Sequence, residues 1–148
     1  MSGIVCAIRG GPDSRSTIDN AISLAEETGL PLYFLYVVNL DFLSHTTSSR
    51  VQAISTEMHQ MGEFILLSAQ STAAAKKLTT QGVVRHGNVA DEIINQCHEI
   101  KADYLVLGLP QGQDPENIFS RGQLQSFSER IEREAGAKVI LTGGTTDE

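Results

Sequence analysis

Residues 103–123 read DYLVLGLPQGQDPENIFSRGQ, and their order decides the fold. Tyr104-Leu105-Val106-Leu107 is a continuous apolar run of strand length that passes into Gly108, then Gly112, then Gly122. A strand without polar alternation suits a parallel sheet covered by helices on both faces. Glycines after such a strand let backbone approach a ligand, and the helix that follows offers unpaired N–H groups at the positive end of its dipole. Main-chain donors so placed can hold phosphate. The same glycines can also serve only to end a strand and open a helix, and both readings stand at this point.

The pattern repeats outward in both directions. Ile4 to Ile8 is a first strand, followed by a turn and a helix with Ile18, Ala21, Ile22 and Ala25 at helical spacing. Gly29 ends that helix and Pro31 prevents its resumption. Leu32 to Val38 is nearly all apolar and reads as a central strand. A polar, Ser/Thr-rich stretch from Asn39 to Ser49 reads as a loop, and a long helix over roughly 51–78 follows, interrupted only by Gly62. Val83 to Arg85 is a short third strand. Asn88 is a good N-cap for a helix with Val89, Ile93, Cys97 and Ile100 on one face. After the fourth strand, a helix from about Gly122 to Glu134 turns Leu124, Phe127 and Ile131 inward and sets Glu129 and Arg133 to pair outside. Lys138 to Leu141 is the fifth strand. Five strands joined by four right-handed crossovers predict one α/β domain over residues 1–148, a doubly wound, Rossmann-like parallel sheet with helices on both faces.

Composition agrees. With 148 residues the chain can bury roughly 70% of its unfolded surface, and 41% hydrophobic with 5% aromatic residues favours an aliphatic α/β core. Eleven basic against 18 acidic residues give a formal charge of -7, which repels nucleic acid and anionic membranes. No apolar run reaches the roughly 20 residues that span a bilayer, and the N-terminus lacks a leader pattern. A soluble cytoplasmic protein is expected, with Cys6 and Cys97 as reduced, buried thiols. His45, His59, His86 and His98 have no metal-binding spacing. Met58 and Met61 are expected to pack on the core or on a partner.

Ligands on open α/β sheets sit beyond the carboxyl ends of the strands, where strand order reverses. Two glycine turns, Arg9-Gly10-Gly11-Pro12-Asp13-Ser14 after the first strand and Gly108 to Gly112 after the fourth, would face one another there only if those two strands flank the reversal. Arg9 admits three readings. It is an exposed cation paired with Asp13 or another carboxylate, or a bidentate anion clamp beside glycines. In the third, Arg9 to Ser14 resembles the S-G-G-x-D-S pyrophosphate loop of the ATP pyrophosphatases with its first Ser replaced. On that reading the chain is a small ATP-using enzyme, a nucleotide hydrolase or pyrophosphatase relative, with Asp13 near the phosphates and Mg2+ required.

Taken in order along the chain, five stretches resemble the universal stress protein family: Ile4 to Ile8, Tyr36-Val37-Val38, His86 to Ile93, Ala102 to Gly108, and Ala137 to Leu141. The resemblance implies strand order 3-2-1-4-5, a regulatory rather than catalytic role in the stress response, an unidentified protein partner, and homodimers paired through the fifth strand, Lys138 to Leu141. It also implies an adenine-nucleotide site, ATP with or without Mg2+, carried over onto Ala7, Arg9, Gly10, Val37, Gly108, Gly112, Gly122 and Gln123. Val37 would contact adenine, and the others would line ribose and phosphate. ATP-binding members resemble G-x-x-G-x9-G-[ST] after the fourth strand. Here three residues separate Gly108 from Gly112, Gln123 replaces the hydroxyl, and Arg9 stands where an acidic residue is common. Atypical nucleotide binding, or action through protein contacts without nucleotide, are the alternatives that follow.

Overall fold

A computed structural model describes residues 3–8, 14–39, 47–108 and 121–142. They form β1 (Ile4–Ala7), α1 (Ser14–Thr28), β2 (Leu32–Val38), α2 (Ser48–Ala74), β3 (Thr80–His86), α3 (Val89–Ile100), β4 (Tyr104–Gly108), α4 (Arg121–Glu134) and β5 (Lys138–Thr142). The sheet is parallel, in the order β3-β2-β1-β4-β5. This is the order that the family resemblance implies. The Rossmann-like architecture is therefore established for the described residues.

Two apolar clusters sandwich the sheet. Ile4, Cys6, Phe34, Tyr36 and Val106 face α1 and α2, meeting Ala21, Ile22, Leu66 and Ala69. Val5, Leu35, Leu105 and Leu107 face the other way and meet Ile93, Cys97, Phe127 and Ile131 of α3 and α4. Successive strand residues point to opposite faces, so a strand buried on both sides must be apolar at every position. That requirement is why β2 begins and ends where the sequence predicts.

Helix ends differ more. Gly29 closes α1 with φ 73°, the left-handed conformation that glycine adopts without penalty. α2 starts at Ser48, earlier than expected, and stops at Ala74 rather than near Leu78. Lys77 takes φ 64°, and the bonds Leu78 N–H to Ala73 O (3.1 Å) and Lys77 N–H to Ala74 O (2.9 Å) make a Schellman turn that swings Leu78 back onto the core. α3 ends the same way at Lys101, φ 54°. Its start is as expected: the Asn88 side chain accepts from Asp91 N–H at 3.0 Å.

β3 is longer than Val83 to Arg85, pairing with β2 from Leu32↔Thr80 to Val38↔His86. As an edge strand it tolerates Thr80, Gln81 and Gly82, and the Gln70 amide donates to Thr80 O at 3.3 Å. β4 and β5 each run one residue past the expected end. In α4, which starts at Arg121, Phe127 and Ile131 are buried as expected, but Glu129 and Arg133 do not pair. Arg130 instead bonds Glu134 and Asp91, each at 3.2 Å, tying α4 to α3, and Arg133 lies 3.8 Å from Glu134. No helix among the described residues is long and apolar enough to cross a membrane.

Candidate functional site

Strand order reverses between β1 and β4, because α1 and α2 lie on one face and α3 and α4 on the other. Strand pairing keeps the two together through Cys6↔Val106. α1, which follows β1, and α4, which follows β4, lie on opposite faces, the topology in which open α/β sheets bind ligands at the carboxyl edge. Of the expected site residues, Ala7, Val37, Gly108, Gly122 and Gln123 lie among the described residues. Ala7 is half-buried at the end of β1. Val37 lies two positions beyond Leu35, the register partner of Ala7, and is also half-buried. Both pack against the α3/α4 cluster, as do Val89 and Ala90 at the start of α3.

Gly108 ends β4 beside the same reversal, paired with Thr142. Its missing side chain has a steric reason: a Cβ there would stand 2.9 Å from Thr17 Oγ1. Thr17 and Thr142 are both buried, their hydroxyls 3.0 Å apart, and Thr142 Oγ1 is also 3.3 Å from Leu107 O. If Thr142 donates to Leu107 O, the Thr17 hydroxyl donates to Thr142, so both protons are placed inside the protein. This pair was not singled out from sequence. Its signal was the recurrence of Thr17, Ala21 and Ala25 on one face of α1, with a hydroxyl where an apolar residue was to be expected.

Gly122 and Gln123 belong to the first turn of α4, which runs back from the carboxyl edge and therefore starts there. Arg9, Gly10 and Gly112, like the loop from Arg9 to Asp13, lie outside the described residues. Arg85, the register partner of Val37, is not available as an anion ligand. It donates to Glu92 (2.8 Å), Gln96 (2.9 Å) and Glu99 (3.2 Å) of α3, and the Glu92 bond above all holds its guanidinium further above the ordinary value.

Of the scattered histidines, the fold joins two. His59 Nδ1 of α2 and His86 Nε2 of β3 are 2.9 Å apart, with ring planes 16° from parallel and centroids 5.1 Å apart. That centroid distance is about the N···N separation plus two ring radii, so the rings meet nearly edge to edge and one donates to the other. Glu63 lies 3.5 Å from His59 Nε2. Among the described residues no group of three or more His, Cys, Asp or Glu side chains is placed to hold a metal ion. Cys6 and Cys97 are buried free thiols; burial pushes Cys97 up to about 12 and Cys6 further in the same direction.

The model of the universal stress protein family matches residues 1–142. The chain belongs to that family. Solved universal stress proteins share its fold: UspA from Lactobacillus plantarum superposes with a TM-score of 0.73 at 15% identity, over 95% of this chain and 97% of that one. A universal stress protein from Archaeoglobus fulgidus in complex with dAMP gives 0.61 at 16% identity, over 96% and 98% of the two chains. One from Arabidopsis thaliana with AMP bound gives 0.58 at 14%, over 95% and 90%. Comparison with curated proteins found no match.

Proposed function

We propose that this universal stress family chain is a non-catalytic regulatory module that binds an adenine nucleotide at the carboxyl edge of its sheet, between β1 and β4. The observation that carries this reading is the conjunction, at the carboxyl edge where strand order reverses, of apolar Ala7 and Val37 with the end of β4 at Gly108 and the start of α4. An adenine ring needs apolar contacts of this kind, and phosphates can be held by the unpaired N–H groups at the start of a helix. That relatives of this fold were solved with dAMP and AMP supports the same ligand class. Arg9 and Gly10 would complete the phosphate side after β1, with Gly112, Gly122 and Gln123 after β4. Mg2+ would accompany a triphosphate.

Gln123 in place of a hydroxyl forfeits about 1–2 kcal/mol, so an affinity in the tens of micromolar is expected. Calorimetric titration of the purified protein with ATP, AMP and adenosine, with and without Mg2+, tests this. Arg9→Ala should weaken ATP by about 1.5–3 kcal/mol and leave adenosine unchanged if Arg9 clamps phosphate. Undetectable binding of every adenine ligand at millimolar concentration overturns the proposal. ATP turnover abolished by Asp13→Ala would replace it with the enzyme.

We further propose a homodimer through β5. β5 is an edge strand whose described pairing is to β4 alone, and Leu141 is exposed beside it. A second copy of the strand would satisfy its outer backbone groups.

A further inference from the structure

Three of the four exposed large apolar side chains among the described residues lie on one helix: Met61, Phe64 and Leu67 of α2, 55%, 72% and 64% exposed. They are not isolated. Successive residues turn about 100°, so Phe64, Leu67 and Ser71 share a face with Gln60, Ser68 and Ala75, opposite the buried face of Leu66, Ala69 and Ala73. From Phe64 to Ala75 the helix and its cap carry no charged residue, in a chain whose formal charge is -7. Charge returns at the two ends, net negative at one and positive at the other: exposed Glu63 lies between Met61 and Phe64, with Arg50 further toward the N-terminal end. Glu57 stands on the exposed face toward the N-terminal end, and Lys76 and Lys77 follow the C-terminal end.

We infer that this face of α2 packs against the same face of a second copy of the chain, antiparallel, about a two-fold axis at Leu67. Leu67 is the midpoint between Glu57 and Lys77. An antiparallel partner therefore brings each Glu57 to the other copy's lysine pair, whereas a parallel one sets like charges side by side. Two large side chains, Phe64 and Met61, then meet the small residues Ser71, Ala74 and Ala75 across the axis, the large-against-small match that helix packing requires. A patch that complements itself under a two-fold operation is what an isologous interface needs. Two acidic molecules repel least where each is uncharged. This contact is independent of nucleotide binding, and it lies on α2 beside β2 and β3, away from β5 at the other edge of the sheet.

Sedimentation of the full-length protein reads the association, and Phe64→Glu should reduce the mass to that of the β5-paired dimer, or of the monomer if β5 does not pair. Glu57→Lys alone, or Lys76→Glu with Lys77→Glu, should each raise the dissociation constant of this contact about ten-fold, and the combined charge swap should restore it. Leu67→Cys should form an intermolecular disulfide on mild oxidation, because the two copies of residue 67 face each other at the axis, while Glu26→Cys on α1 should not. The swap keeps the test valid even if Phe64→Glu perturbs folding. An unchanged mass in Phe64→Glu and in both charge variants, or cross-linking at position 67 no faster than at position 26, overturns the inference. A Phe64-dependent complex with a different molecule, without self-association, overturns it in favour of a foreign occupant.

Discussion

Two lysines occupy backbone positions that usually belong to glycine. Lys77 and Lys101 are the left-handed C′ residues of their Schellman turns, and a Cβ there costs about 1–2 kcal/mol relative to the right-handed form. Lys101→Gly should therefore raise stability by about 1 kcal/mol, measured as a higher urea midpoint at unchanged slope. Gly62 shows the opposite constraint. A Cβ added there would press on the Tyr36 ring, 2.9 Å from Cε2, with buried core behind it. Overpacking costs about 1–3 kcal/mol and the gain in helix propensity returns only about 1 of it, so Gly62→Ala should lower the melting temperature. The sequence shows Gly62 only as a helix defect. Its reason is a contact with a ring distant in the chain, which no local pattern carries.

At the scale of elements, legibility followed burial. β2 is apolar at every position because both its faces are covered, and its ends could be read directly from residues 32–38. β3 escaped in part because its first residues are polar, a composition tolerated only at a sheet edge. The end of α2 escaped because lysine supplied the turn where glycine would have announced it. α3 was legible from its cap, and the cap is testable: Asn88→Ala removes the acceptor for Asp91 N–H and should cost about 1 kcal/mol. For β5, Ile140→Pro removes a ladder donor and should yield monomer or aggregate if that strand pairs with a second copy. A sedimenting monomer for the unmodified chain would reject that pairing. Ala7, Val37 and Gly108 were legible as residues at the carboxyl ends of β1, β2 and β4, yet the buried Thr17–Thr142 pair was invisible because its partners come from opposite ends of the chain.

The whole molecule carries a thiol on each face of its sheet, Cys6 toward α1 and Cys97 on α3. Both are raised above the ordinary value of 9.0 by burial. The folded protein thus retains thiol protons that the unfolded chain releases once pH exceeds about 9, and stability must fall as pH rises from there toward 12. Each thiol contributes a slope of at most about 1.4 kcal/mol per pH unit over that interval and none below it. Urea titrations between pH 8 and 11 check this, with Cys97→Ala expected to flatten the alkaline limb. For the same reason alkylation of either thiol at neutral pH should wait on global opening.

Thr142 belongs at once to the edge strand and to the hydroxyl pair that meets the strand end at Gly108. Any displacement of Gly108 toward α1 presses on Thr17, and through it on the last residue of β5. If a nucleotide binds at Gly108 and β5 pairs with a second copy, as proposed, the two events would share this joint, and thermodynamic reciprocity would apply: whatever factor a nucleotide imposes on assembly, assembly must impose on nucleotide affinity. Thr142→Val keeps the shape and deletes the hydroxyl. It should bring that factor toward unity, read as a dimer dissociation constant that no longer changes when nucleotide is added.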